Sequence, residues 1–226
     1  RRTINLSGIK ILVLDEADRM FDMGFIEDVE RIIRTCPRER QTMFFSATLS
    51  HRVKILAKKY MNNPIEVSGK KLVDPSKLQQ VYYDVQRNLK FSLLIHLLKN
   101  EKSGLVMVFC NTRHTVEFVE KNLRANKIDV IAIHGGLSQN KRSNTINLFN
   151  NAKVNVLVCT DVAARGLHID YVSHIYNFDI PKDPKDYVHR IGRTARAGEE
   201  GKVINLLCDQ DYDNYSRLIQ NYREFS

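Results

Sequence analysis

Two groups of residues in this chain are of the right types to act together on a phosphate. Asp15-Glu16-Ala17-Asp18 closes the apolar run Ile11-Leu12-Val13-Leu14, and His189-Arg190-Ile191-Gly192-Arg193-Thr194-Ala195-Arg196 follows about 170 residues later. Carboxylates just past the carboxyl end of a buried strand lie at the edge where open α/β sheets bind ligands. Phosphoryl transfer to water needs such a pair: Asp15 can hold Mg2+ through its water shell, while Glu16 can orient and deprotonate the attacking water. Alone, an Asp-Glu pair is weak evidence and reads first as a strand end followed by an acidic helix cap. Arg190, Arg193 and Arg196 recur every three residues, so on a helical turn two or three can face one way, and any one alone reads as a solvated basic face. Together the two blocks predict a nucleotide gripped between acidic and basic groups, as in an ATP-driven motor. No Gly-x-x-x-x-Gly-Lys-Ser/Thr segment occurs in the chain. Because the acidic pair makes sense only beside such a phosphate loop, the chain reads as part of an enzyme.

The elements that must position these residues follow a βα rhythm, short apolar runs alternating with amphipathic stretches, which predicts an α/β fold: a parallel sheet with helices on both faces. In the first part, strands are expected at Lys10–Leu14, Thr42–Phe45 and Ile65–Ser68, with helices near Gly24–Thr35 and Ser50–Tyr60, the second capped by Ser50. Three strands make an incomplete sheet. The stretch Gly69–Lys77 mixes turn formers with charge and lacks periodicity, so it is expected to be a linker. Beyond it, strands are expected at Gln79–Val85, Leu105–Phe109, Asp129–Ile133, Val154–Cys159, His174–Phe178 and Lys202–Leu207. Helices are expected near Leu89–Asn100, Thr112–Asn126, Ser138–Asn150, Pro184–Thr194 and Asp211–Asn221. The organisation predicted is a partial domain over 1–68, a linker over 69–77 and a complete domain over 78–226, with apolar edges left exposed on the partial one.

Composition fits this and narrows the partners. Of 226 residues, 43% are hydrophobic and 27% charged, as in a globular protein. The formal net charge of +9 suggests a polyanionic partner, but the charge is spread, with 14 basic against 10 acidic residues in 1–75 and 21 against 16 in 76–226. Cys36, Cys110, Cys159 and Cys208 are isolated in sequence, which argues against a zinc site or disulfide framework and for a reducing compartment. Apolar runs such as Leu105-Val106-Met107-Val108-Phe109-Cys110 are far too short to span a bilayer, and Arg1-Arg2-Thr3 opens no signal peptide. A protein of the cytoplasm, or of the nucleus in a eukaryote, is expected, with no membrane association.

Further blocks make the pattern specific. Val13-Leu14-Asp15-Glu16-Ala17-Asp18-Arg19-Met20, Ser46-Ala47-Thr48, Asp161-Val162-Ala163-Ala164-Arg165-Gly166 and His189-Arg190-Ile191-Gly192-Arg193-Thr194 resemble motifs II, III, V and VI of DEAD-box RNA helicases in order and spacing. Val108-Phe109-Cys110-Asn111-Thr112 is similar to motif IV, and His134-Gly135-Gly136-Leu137-Ser138-Gln139-Asn140-Lys141-Arg142 to the segment before motif V, so the resemblance covers nearly the whole chain. It implies a RecA-like core that uses ATP and Mg2+ to open or remodel RNA duplexes. In that reading Asp15 and Glu16 serve metal and water, and Arg193 and Arg196 reach the γ-phosphate. An arginine finger contributes roughly 10³ to 10⁵ in rate, or about 4–7 kcal/mol. The resemblance further implies that Asp18, Ser46, Thr48, His189 and Arg165 couple nucleotide state to conformation.

RNA is expected to meet strand ends and helix starts of the second domain: Asn111, Thr112 and Arg113 at one helix, Gly135 and Gly136 before another, Gln139 and Arg142 on it, and Thr160 and Gly166 flanking motif V. Taken singly, each of these is better explained by ordinary helix capping, and it is the family resemblance that tips the reading. No aromatics interleave with them, so contact is expected through the phosphate backbone rather than by base stacking. The chain departs from the family pattern in two places: His168 stands where Asp is common after Arg165-Gly166-Leu167, and Ala195 replaces a frequent glycine, which should leave the arginine spacing intact. The rival reading is a module that binds RNA or protein without ATPase activity as it stands.

Overall fold

The computed structural model describes residues 4–46, 49–68, 75–165, 167, 169, 172–195 and 199–221. The chain divides into two compact units, Arg1–Ser68 and Gly69–Ser226. In the first, β1 (Ile11–Leu14) and β2 (Gln41–Phe44) pair in parallel, with Ile11 opposite Gln41 and Leu14 opposite Phe44. Three helices accompany them: α1 (Ala17–Asp22), α2 (Ile26–Thr35) and α3 (His51–Tyr60). Ser50 caps α3, its hydroxyl accepting from the Val53 N–H at 3.4 Å. Leu14, Ile33 and Leu56 form the core of this unit with Leu12 and Phe44 packed against them, whereas the alternate residues Ile11 and Val13 are exposed. Period-two alternation therefore buries one face of the pair and leaves the other bare.

Two expectations change here. No strand forms at Ile65–Ser68, where Ile65 and Val67 are among the most exposed apolar residues. A strand exists through its ladder, and among the described residues this segment has no neighbour to pair with. Of the expected linker, 69–74 lie outside the described residues, and Pro75–Lys77 forms one turn of 3-10 helix.

The second unit is a six-stranded, wholly parallel sheet. In chain order its strands are β3 (Leu78–Asp84), β4 (Val106–Phe109), β5 (Val130–Ile133), β6 (Val156–Cys159), β7 (His174–Asn177) and β8 (Gly201–Leu207), and across the sheet they run β3-β8-β7-β4-β6-β5. All six lie where the sequence places strands, within two residues. The connecting helices are α4 (Lys90–Asn100), α5 (Arg113–Ala125), α6 (Gln139–Asn150), α7 (Asp161–Ala164), α8 (Pro184–Ile191) and α9 (Tyr212–Asn221).

Alternation along the strands now fills two cores. Met107, Phe109, Leu157, Cys159, Ile175 and Val203 pack with residues of α6, α7, α8 and α9; Val106, Val108, Val156, Val158, Tyr176 and Ile204 pack with α4 and α5. This is the doubly wound α/β arrangement, in which both faces must be apolar. Cys36, Cys110, Cys159 and Cys208 are all buried and free. Among the described residues no helix is long and apolar enough to cross a membrane.

Candidate functional site

At the carboxyl end of β1 the chain turns sharply into α1. Glu16 takes the turn in the left-handed region, φ 50° and ψ 45°, which only glycine adopts freely. Such a conformation costs of order 1–3 kcal/mol and persists where surrounding contacts enforce it. Here the Asp15 carboxylate accepts from the Glu16 N–H at 2.9 Å, and the Ala17 N–H donates to the Phe45 carbonyl at 3.0 Å. Asp15 remains exposed and Glu16 half-buried, whereas Asp18 is buried in the first turn of α1. The Asp18 N–H donates to the Ser46 hydroxyl at 3.2 Å, joining the end of β1 to the end of β2.

In the second unit the chemistry gathers at the carboxyl ends of β4, β6 and β7, around one buried guanidinium. Arg190 is 1% exposed and sits in the last turn of α8. Its Nε and Nη2 donate to the two carboxylate oxygens of Asp161 at 2.6 and 2.7 Å, a bidentate pair. Its Nη1 reaches the Asn177 side-chain carbonyl (2.8 Å) and the Asp179 backbone carbonyl (2.6 Å), Nη2 also reaches the Asn111 side-chain carbonyl (3.0 Å), and the group lies 5.0 Å from the Phe109 ring centre.

The network continues across the sheet. Asn177 donates to Asn205, Asn205 to the Tyr187 hydroxyl, and that hydroxyl to Gln80 on β3. Burial pushes the Tyr187 hydroxyl well above its ordinary value, so it acts here as a neutral donor and acceptor. Burial also raises the Asp179 carboxyl, against the opposing hydrogen bond from the Asn111 N–H.

Arg190 and Arg193 do not share a helical face. The helix ends at Ile191 with Gly192 as its cap, rather than running on to Thr194, so Arg190 turns into the interior while Arg193 lies beyond the helix, half-buried, its Nη1 donating to the Leu167 carbonyl at 3.0 Å. Arg193, Arg190, His189, Asp186, Arg165, Ala164, Asp161 and Phe109 line one small cavity. Ala195, where a glycine was the commoner expectation, is buried and left-handed at φ 50°, so its methyl is held in a conformation that glycine would take without strain. Thr48, Gly166, His168 and Arg196 lie outside the described residues.

The remaining predicted residues fall into two sets. Thr112 and Thr160 cap α5 and α7, accepting from the N–H groups of Thr115 (3.1 Å) and Ala163 (3.4 Å). Arg113 is exposed and paired with Glu117 at 2.7 Å, and the hydrogen bond from Arg113 holds the Glu117 carboxyl below its ordinary value. Gly135, Gly136 and Gln139 are exposed; a Cβ at Gly136 would lie 2.5 Å from the Arg113 guanidinium. By contrast, the side chains of Asn111 and Arg142 are engaged within the protein, Asn111 with Ile180 and Arg190, and Arg142 with the carbonyls of Ala163 and Arg165.

Arg190, Asp161, Asn177 and Asn205 were not singled out from the sequence as a unit. The signal was present: an Asn in each of the apolar strands His174–Asn177 and Gly201–Leu207 marks a buried polar group that needs partners.

Fold and strand-end chemistry together define a RecA-like α/β core. Residues 1–56 match the DEAD/DEAH box helicase family and residues 89–198 the helicase conserved C-terminal domain. The chain belongs to the DEAD-box helicase family. It is 45% identical over 212 residues to the ATP-dependent RNA helicase RhlB of Xanthomonas oryzae pv. oryzae, covering 92% of this chain and 37% of that protein. It is 44% identical over 221 residues to the DEAD-box ATP-dependent RNA helicase CshA of Bacillus licheniformis, covering 97% of this chain and 45% of that one. Among solved structures, S. cerevisiae Dbp5 bound to RNA and ADP BeF3 superposes with a TM-score of 0.85 at 31% identity, over 99% of this chain and 59% of Dbp5. The E. coli DEAD-box protein SrmB bound to RraA is 40% identical, with a TM-score of 0.61, over 64% of this chain and 86% of that one. The chain thus spans less than half the length of the curated relatives described.

Proposed function

We propose that the intact protein couples hydrolysis of ATP to local opening or remodelling of RNA duplexes. Asp15 is suited to hold Mg2+ through water: it is exposed at a strand end, and one of its oxygens accepts the Glu16 N–H while the second has no protein partner among the described residues. The metal, when bound, supplies charge neutralisation on the phosphates. Glu16 is the group that orients and deprotonates water, and Arg193 and Arg196 stabilise charge developing on the γ-phosphate. Asp18, Ser46, Thr48, His189 and Arg165 transmit nucleotide state to the RNA surface. RNA phosphates are met by Thr112, Arg113, Gly135, Gly136, Gln139, Thr160 and Gly166, with Asn111 behind them. The lack of interleaved aromatics supports sequence-tolerant binding. The setting we infer is the cytoplasm, or the nucleus in a eukaryote.

The observation that carries this reading is the order of the two matched segments, the first with its acidic block just past the carboxyl end of β1, the second with its basic block at the end of α8, from which Arg190 reaches residues at the carboxyl ends of β4, β6 and β7. RNA-stimulated ATP hydrolysis and duplex unwinding by the intact protein test it. Arg193→Ala is expected to lower kcat by roughly 10³ to 10⁵, and RNA duplexes to be opened in preference to DNA. An unaltered intact protein whose ATP turnover ignores RNA, while still binding RNA, would overturn the enzyme reading in favour of a binding module.

A further inference from the structure

Arg142 stands on the first turn of α6, half-buried, one turn along from Gln139. Its Nη2 donates to the Ala163 carbonyl at 2.7 Å and to the Arg165 carbonyl at 3.3 Å. These carbonyls lie at the end of α7, a helix of four residues whose last carbonyls cannot be satisfied from within. Arg165 is held a second time through its side chain, which pairs with Asp186 of α8 at 2.8 Å, both groups mostly buried. Arg165 and Asp186 line the same small cavity as His189 and Arg193. Backbone and side chain of Arg165 are therefore fixed from two different helices, by charge-assisted hydrogen bonds on each side.

We propose that Arg142 and Asp186 form a clamp that positions Arg165, so that Arg142 acts as a positioning residue rather than a phosphate contact. Turning Arg142 outward to a phosphate would strip both carbonyls of a donor, and Ala163 is buried where water cannot replace it. The clamp fixes the direction of the Arg165 guanidinium toward the cavity beside His189 and Arg193. This inference rests on the proposed function, because the purpose of the clamp is the coupling role assigned there to Arg165.

The test uses Arg142→Ala, Arg142→Lys, Asp186→Asn and the double variant Arg142→Ala/Asp186→Asn. In the intact protein each single change is expected to lower RNA-stimulated kcat on the order of tenfold, with KM for RNA unchanged and the double no worse than the poorer single, as for groups that act as one unit. Arg142→Lys keeps the charge a phosphate would need but loses the planar fork, so it is expected to lose rate as well. The dependence of RNA affinity on salt is expected to stay as in the unaltered protein. A salt slope reduced by about 0.7, with Lys restoring it and kcat intact, would make Arg142 a phosphate contact and end the proposal. Multiplying losses in the double variant would also end it.

A second arm needs no turnover. In the 226-residue chain the Arg165 amide donates to the Asp161 carbonyl at 3.2 Å, and Arg142→Ala or Asp186→Asn should speed its hydrogen exchange about tenfold while exchange in β4 stays fixed. Unchanged exchange at Arg165 overturns the clamp. Absence of RNA-stimulated turnover in the unaltered intact protein would overturn the proposed function and leave the exchange arm to decide the clamp alone.

Discussion

In the first unit Leu12 and Leu14 pack against helices while Ile11 and Val13 of the same strand stay exposed; in the second, every residue of β4, β6 and β7 is buried. The strand sequences are alike in apolar content, so the difference lies in what covers the second face. With helices on both sides and neighbours on both edges, the central strands of the second unit lose contact with water altogether. That burial also changes what a polar group can do. Arg190 sits in a dry setting where each donor described has a strand-end acceptor, and it holds three strand ends in register. At the carboxyl end of β1 in the first unit, Asp15 is exposed and Glu16 takes a strained left-handed turn, so the Asp15 carboxylate faces solvent rather than being absorbed in the scaffold.

The contrast can be broken most directly at Arg190. Arg190→Ala leaves the mostly shielded Asp161 without its cation and the Asn111 and Asn177 carbonyls without their donor, and should destabilise the second unit by about 3–5 kcal/mol in denaturant unfolding, with Arg190→Lys recovering little because an ammonium cannot reproduce the fork. A loss below about 1 kcal/mol would show that the buried network is not structural.

Hydrogen exchange sharpens the difference between the units: amides of β1 and β2 should exchange about 100-fold faster than those of β4 and β6, or about 2.7 kcal/mol less protection. Equal protection would mean that the bare face costs the first unit nothing. Within the second unit, Gly201 begins β8 where a Cβ would strike the Thr194 side chain and lie 2.7 Å from the Ala195 nitrogen. Gly201→Ala is expected to cost about 1–3 kcal/mol in thermal or denaturant unfolding, and a neutral result would place slack where the packing shows none.

The smallest effect concerns the exposed pair Arg113–Glu117. The hydrogen bond from Arg113 lowers the folded-state value of the Glu117 carboxyl, while burial opposes it. Its contribution is therefore present above the ordinary value of 4.5 and lost as pH falls through the lowered one. A carboxyl-carbon NMR titration should give a midpoint below 4.5, and Arg113→Ala should return it toward that value. A midpoint unmoved by that change would mean that the pair does not persist in solution.

Long, periodic elements were legible before any coordinates. The six strands of the second unit fall where β-branched apolar runs predicted them, and Ser50 caps α3 as its type and place suggest. The misses share a cause, since each depended on something outside the local sequence. The run Ile65–Ser68 has the composition of a strand, yet a strand needs a partner and none is described beside it. The helices α1 and α7, of six and four residues, are too short to show a period. The spacing of Arg190 and Arg193 suggested a common face, but Gly192 ends the helix between them.

Spacing along the chain fixed which chemical groups stand at which strand ends, because strands and helices obey local periods that a sequence displays directly. It thereby determined the family and the location of the acidic and basic blocks. Tertiary structure alone decided which of two neighbouring arginines would be sealed in and which would stay half-buried. Arg190 is drawn inward by Asn111, Asp161 and Asn177, residues brought to one point only when three separate strands pair. Burying a charge is favourable only where such partners already converge, and that convergence is a property of the folded sheet rather than of any segment in it.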